Sequence, residues 1–255
     1  MRLPPFHWWR TVFYLIPAIT LYTLVLGAAS LASSIFDRRG RFAHRCARAW
    51  SRLILKTTGV RVEVRGLERI RPGETYVFVS NHQSIYDIPV IFASLPYELR
   101  IIAKASLARF PVLGWHLRRG GHLFVDRRHP DRAGILARWR SLVADELSLL
   151  IFAEGTRSWD GHVGRFKAGS FLLALEASLP VVPIAVIGTR AVMPKGRLRT
   201  EPANVRLVVH DPIPSLSGRE PTVQDARALA ARVQTIVDDT VEQLQYGRPP
   251  TYAPL

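Results

Sequence analysis

The stretch Tyr76-Val77-Phe78-Val79-Ser80-Asn81-His82-Gln83-Ser84-Ile85-Tyr86-Asp87 runs from an apolar strand into the start of a helix. Its first five residues are mostly apolar, with β-branched Val77 and Val79 in alternation, and read as a strand. His82 therefore stands where a strand ends, and Asp87 follows it by five. On a continuous helix such positions point about 140° apart. His82 must lie in the turn ahead of the helix if Asp87 is to reach it. Ser84 is placed to cap that helix by accepting a backbone N–H. An imidazole at a strand end, held by a carboxylate from the first turn of the next helix, is a general base with its orienting partner. Taken alone, the pair also reads as a surface histidine beside a surface aspartate.

Outward from this stretch, 255 residues suit one α/β domain with an appendage, or two small domains. A hydrophobic content of 48% supplies ample material for a core. A single cysteine, Cys46, excludes an internal disulfide and fits a reducing compartment. No Cys/His cluster has metal-ligand spacing, so neither a structural zinc nor a cofactor is expected. The net charge of +15 calls for a partner that tolerates a cationic protein, and nucleic acid, anionic lipid and phosphorylated substrates all qualify.

Residues 11–36 contain no charged side chain, with Arg10 on one flank and Asp37-Arg38-Arg39 on the other. The run is long enough to cross a bilayer, and Trp8, Trp9, Tyr14 and Tyr22 suit an interface. Pro17 and Gly27 offer kinks, so a re-entrant hairpin is an alternative to a straight helix. A cleaved signal peptide is another, given small residues such as Ala28, Ala29 and Ser30. The arginines that follow favour an uncleaved anchor held from the cytoplasmic side. Next, Arg41, Arg45, Arg48, Arg52 and Lys56 recur at helical spacing beside an apolar stripe of Phe42, Cys46, Ala49, Trp50, Leu53 and Ile54. Such a helix suits an anionic membrane surface. The plainer alternative is an amphipathic helix packed on the domain.

Further strands are expected at 59–66, 99–103, 123–125, 149–152, 179–187 and 205–209. Between them fall two short helical pieces in 104–117 and helices at 131–147 and 168–178. A last helix opens on a capping box, Thr222 with Asp225. Strands alternating with helices predict an α/β fold with a mixed, largely parallel sheet flanked by helices. The expected division is a membrane-anchoring segment at 1–58, a domain at 59–247 and a tail at 248–255.

Three further segments carry groups that a bare fold does not need. Gly120-Gly121-His122-Leu123-Phe124-Val125-Asp126-Arg127 puts an arginine past a buried strand, and Phe152-Ala153-Glu154-Gly155-Thr156-Arg157-Ser158 follows another with a donor-rich loop. Backbone N–H groups around a glycine, a hydroxyl and a guanidinium make an anion site, unless Glu154 and Arg157 merely close a surface turn as an ion pair. Ligands of open α/β sheets bind beyond the carboxyl ends of strands, where these groups fall. With the apolar stretch around Pro183, the ordered set resembles the glycerolipid acyltransferases, in particular the 1-acyl-sn-glycerol-3-phosphate acyltransferases. The resemblance covers roughly residues 60–209. Ala153 departs from the proline that many members carry there, which changes no chemical group.

That resemblance implies transfer of a fatty acyl group from acyl-CoA or acyl-carrier protein to the hydroxyl of a lysophospholipid acceptor. It implies His82 as base with Asp87 as its partner, and a substrate-binding set of Lys104, Arg127, Glu154, Gly155, Thr156 and Arg157. No acyl-enzyme is required. An anionic membrane is the expected partner surface, at the cytoplasmic face of a bacterial inner membrane. Another lysolipid, such as a lyso-ornithine lipid, is an alternative acceptor. A nucleic-acid-binding protein ranks far lower, because the densest cations abut the apolar segment rather than interleave with aromatics on one face.

Overall fold

The computed structural model describes residues 5–37, 39–126, 132–216 and 219–248. Helix α1 (Phe6–Ser33) is continuous over 28 residues, and its turns at Thr11–Leu15 widen to π geometry. Pro17 brings no N–H to bond back toward Phe13, and a widened turn just ahead of it absorbs that loss. Neither Pro17 nor Gly27 breaks the helix, so the hairpin alternative is excluded. There follow α2 (Arg41–Thr58), β1 (Arg61–Arg65), β2 (Val77–Ser80), α3 (Asp87–Ser94), β3 (Leu99–Lys104), α4 (Leu113–Arg119) and β4 (Leu123–Val125). The chain continues through α5 (Arg132–Ala144), β5 (Ser148–Phe152), α6 (Ala168–Glu176), β6 (Val181–Ile187), α7 (Thr189–Val192), β7 (Asn204–Val209) and α8 (Val223–Tyr246).

The strands form one seven-stranded sheet in the order β1-β7-β6-β2-β5-β3-β4. Its pairs are parallel except β6 with β7. This is the mixed, largely parallel α/β architecture that the alternation of elements predicts. The carboxyl ends of β6, β2, β5, β3 and β4 consequently share one edge, with β2 near the middle. Successive side chains of a strand face opposite sides. Phe78 packs with α2 and α3 residues such as Ile54, Val90 and Ile91, while Val77 and Val79 pack with Trp139, Phe171 and Val233 of α5, α6 and α8. Burying both faces explains why β2, β5 and β6 read as near-continuous apolar runs. The capping box of Thr222 and Asp225 forms as expected at the start of α8.

Helix α1 is held along its length. The Arg10 guanidinium donates to the Thr57 and Thr58 carbonyls at 3.2 and 2.9 Å, where α2 leaves carbonyls unpaired. Trp50 donates to the Thr23 hydroxyl at 3.0 Å, Thr200 N–H to the Thr11 hydroxyl at 2.9 Å, and Ser30 meets His116 Nδ1 at 2.7 Å. The outer face stays apolar and exposed, with Phe13, Tyr14, Leu21, Leu24 and Val25. Helix α2 has one face packed on the domain and leaves Arg41, Arg45, Arg52 and Lys56 exposed on the other. It is packed on the domain through Ala43, His44, Ser51, Ile54, Leu55 and Thr58, and leaves Phe42 and Leu53 of its expected apolar stripe exposed. Two apolar neighbours, α1 and α3, claim its inner face, so the stripe is broader than one membrane-facing row.

As β2 leaves the sheet, Asn81 extends its ladder with a side chain. The amide Nδ2 donates to the Val186 carbonyl at 2.9 Å and Oδ1 accepts from Val186 N–H at 2.8 Å, all of it buried. Asn81→Ala strands both Val186 groups, at about 1–3 kcal/mol for each one left unsatisfied. Urea unfolding of the protein in detergent should show a lower midpoint with an unchanged m-value. A midpoint equal to wild type would contradict this role.

Candidate active site

The residues after Asn81 form a turn whose polar groups are nearly all taken. Asp87, the first residue of α3, is wholly buried. Its Oδ2 accepts from Gln83 N–H at 2.8 Å, Ser84 N–H at 2.9 Å and His82 Nδ1 at 2.7 Å, and its Oδ1 from the Thr189 hydroxyl at 2.5 Å. A carboxylate so buried and so supplied with donors is an acceptor only, so Nδ1 of His82 carries the proton. Nε2 is left as the lone-pair nitrogen on a ring that is 16% exposed. Phe152 stacks on that ring at 4.0 Å between centroids and limits its rotation. The Ser84 hydroxyl accepts from Tyr86 N–H at 3.3 Å and donates to the Met193 carbonyl at 2.7 Å, but Tyr86 is the N-cap of α3 and no side chain caps the helix. The Asp87 carboxylate instead closes the turn ahead of the helix by accepting the N–H groups of Gln83 and Ser84.

The loop after β5 is fastened to this turn. Glu154 Oε1 accepts from His82 N–H at 2.7 Å and Oε2 from Gly164 N–H at 3.1 Å. A Cβ on residue 164 would sit 2.8 Å from Oε2, so glycine is what allows the approach. Ser158 N–H donates to the His82 carbonyl at 2.7 Å. Glu154 is buried, and both oxygens are engaged by backbone. It ties the two motifs together. No ion pair joins Glu154 to Arg157 among the described residues, which removes the closed-turn alternative. Gly155 adopts φ +73°, the left-handed conformation that turns Thr156 and Arg157 outward past Lys167. Thr156 is exposed and Arg157 half-buried. Lys104 ends β3 on the same sheet edge, exposed. Arg127 lies outside the described residues.

Some groups of the site carried no signal that the sequence analysis used. Thr189 follows β6 directly, as His82 and Glu154 follow β2 and β5, and that placement was the available clue. Lys195 donates to the Arg157 carbonyl at 2.7 Å and the Thr156 hydroxyl at 3.2 Å from a segment without a recognisable motif. Among the described residues no group of three His, Cys, Asp or Glu side chains is disposed to hold a metal.

The chain is similar to known proteins in these same residues. A family model described as Acyltransferase matches residues 61–187. The chloroplastic 1-acyl-sn-glycerol-3-phosphate acyltransferase of Brassica napus is 36% identical over 183 residues, 70% of this chain and 53% of its own length. The human 1-acyl-sn-glycerol-3-phosphate acyltransferase alpha is 34% identical, over 69% of this chain and 62% of that protein. The chain thus spans between half and two thirds of the length of the curated relatives it matches. The crystal structure of the 1-acyl-sn-glycerophosphate acyltransferase PlsC from Thermotoga maritima superposes with a TM-score of 0.78, at 27% identity, over 92% of this chain and 95% of that one. The chain belongs to the glycerolipid acyltransferase family.

Burial pushes the Glu154 carboxyl up to about 7, helped by the Asp87 and Asp160 charges and opposed by its bonds to His82 and Gly164 N–H. The unfolded value is about 4.3. The fold therefore favours the protonated form, and this contribution to stability is complete below the unfolded value and lost as pH rises through about 7. Measured against Glu154→Gln, which cannot titrate, wild type should lose relative stability between pH 4.5 and 7, by ~1.4 kcal/mol per pH unit at most. A stability difference that stays flat across that range would refute the shift.

Proposed function

We propose that this protein transfers a fatty acyl group from a thioester donor, acyl-CoA or acyl-carrier protein, to the sn-2 hydroxyl of 1-acyl-sn-glycerol-3-phosphate, forming phosphatidic acid for phospholipid synthesis. The observation that carries the reading is the His82–Asp87 dyad at the carboxyl edge of the sheet, with Nδ1 occupied and Nε2 open. His82 Nε2 takes the proton of the acceptor hydroxyl as its oxygen attacks the thioester carbonyl. Asp87 stabilises the imidazolium that results. Collapse of the tetrahedral intermediate breaks the C–S bond, and the imidazolium returns its proton to the departing thiolate. No covalent acyl-enzyme intervenes, and Cys46 is buried in α2.

Arg157, Lys104 and Arg127 are assigned to the acceptor phosphate, with the Gly155-Thr156 turn offering further donors. Supporting this, Arg157 and Lys104 meet no carboxylate among the described residues and stand at one sheet edge. The lipid acceptor requires a membrane surface. Residues 1–58 serve as the attachment unit, with α1 presenting its apolar outer face and the basic side chains of α2 attracted to anionic lipid. The arginines that follow the apolar helix support a position on the cytoplasmic face of a bacterial inner membrane.

The deciding assay supplies purified protein with labelled acyl-CoA and a panel of lysolipids, with products resolved by mass. His82→Ala should lower turnover by ~10²–10⁴ while the protein still folds. Activity within a few-fold of wild type would remove His82 from the reaction. Arg157→Ala should raise the acceptor KM about tenfold or more, the cost of losing one charge-assisted hydrogen bond. A raised donor KM with an unchanged acceptor KM would contradict that assignment.

A further inference from the structure

Between the loop after β5 and the segment after β6 lies a cavity of about 460 Å³, lined by Trp159, Arg190, Lys195, Arg197, Arg199 and Glu201 among others. A volume in this range is that of a small-molecule site. Most of its wall follows the residues matched by the family model, and the acyl-transfer chemistry above leaves it unused. Its charge is one-sided. Glu201 is already paired with Arg199. Arg190 donates to the neutral Trp159 carbonyl and Lys195 to the Arg157 carbonyl, so neither charge is compensated. Arg197 is exposed and has no partner among the described residues. Three cations in a concave site mark a polyanionic ligand.

The aromatic wall narrows the ligand further. Trp159 is 68% exposed, with the Lys195 ammonium 4.3 Å from the centre of its ring. An indole that exposed leaves surface for a planar base, which stacks well on tryptophan. The cavity adjoins the acceptor loop through Trp159 and Lys195, but most of its cations come from the other side of β2. Lys104 and the Glu154–Arg157 loop follow β3 and β5, on one side of β2, whereas Arg190 follows β6 on the other. A transfer between two anionic substrates needs a separate cationic seat for each, since phosphates crowded together repel. Lys195 touches Arg157, and Ser158 bonds the His82 carbonyl, so the cavity lies one loop away from the base.

We propose that this cavity holds the 3′-phosphoadenosine diphosphate end of coenzyme A, with adenine against Trp159 and the phosphates on Arg190, Lys195 and Arg197. The inference rests on the acyltransferase reading and gives its thioester donor a side of the sheet. It makes the nucleotide, and not a carrier protein or a lipid headgroup, the occupant.

The test uses the full chain in detergent micelles. Coenzyme A should quench tryptophan fluorescence in wild type and much less in Trp159→Phe, 3′-dephospho-coenzyme A should bind more weakly, and pantetheine should not quench. Arg197→Glu, and Arg190→Ala as a second variant, should raise the KM for acyl-CoA about tenfold or more. Transfer from acyl-pantetheine, which has no nucleotide, and the acceptor KM should stay at wild-type values, which also reports an intact fold. A rise in acceptor KM instead would show a lipid headgroup in the cavity, and an equal loss with acyl-carrier protein would show a carrier docking there. Either overturns the proposal, as does an unchanged acyl-CoA KM in both variants with transfer intact. Quenching by coenzyme A through Trp159, without transfer from any donor, would uphold the cavity and overturn the acyltransferase reading.

Discussion

The Asp87 carboxylate, with no contact with water, is the group on which the rest of the site depends. A buried carboxylate is stable only when its lone pairs are filled by donors. Here they come from the two backbone N–H groups of the turn after β2, from the imidazole of His82 and from the hydroxyl of Thr189 after β6. The same four bonds close the turn and tie the segment after β6 to the one after β2. They also select the tautomer of His82 that leaves Nε2 basic. One charge thus decides both a local conformation and a protonation state.

Around that carboxylate the site is cross-braced. Asn81 is bonded to β6, the His82 amide to Glu154, its carbonyl to Ser158, Gln83 to the Gly161 carbonyl and Ser84 to that of Met193. These bonds join the turn to β6, to the loop after β5 and to the segment after β6. A base held this way needs little reorganisation before it acts, which is where positioned groups gain most of their rate. Glu154 fits the same pattern, since a carboxyl raised to about 7 by burial still accepts hydrogen bonds in either protonation state.

The cationic excess of +15 has a spatial order that composition conceals. Part of it lies on the outer face of α2 beside the apolar face of α1, where an anionic surface is the natural counterpart. Part lies at the carboxyl edge of the sheet, on either side of His82, where phosphates are the counterpart. The hydrogen bonds from α1 to Thr57, Thr58, Trp50, Thr200 and His116 keep the first group in a defined relation to the second. On the proposed function, this would let a lipid acceptor and a soluble donor meet over His82.

Local chemistry made much of this legible before any folding was considered. Periodicity marked the strands, since a strand buried on both faces must be continuously apolar. The five-residue spacing from His82 to Asp87 required a turn followed by a helix, because only that geometry lets the two side chains meet. The capping box of Thr222 and Asp225 was likewise visible, its atoms being three residues apart. The second partner of Ser84, the Met193 carbonyl, is 109 residues away and was not legible. The partner amides of Glu154 were hidden for the same reason: they belong to another strand's turn and to a glycine ten residues on. Thr189, Lys195 and the Trp159 cavity left no motif at all, as their roles arise from strand order. Short-range spacing thus defined the dyad and the layered α/β class, whereas the bracing partners and the second cationic flank were decided only when β6 came to lie beside β2. Hydrogen bonds and charges act over a few ångströms in space, and the chain separations that they bridge here leave no periodic trace.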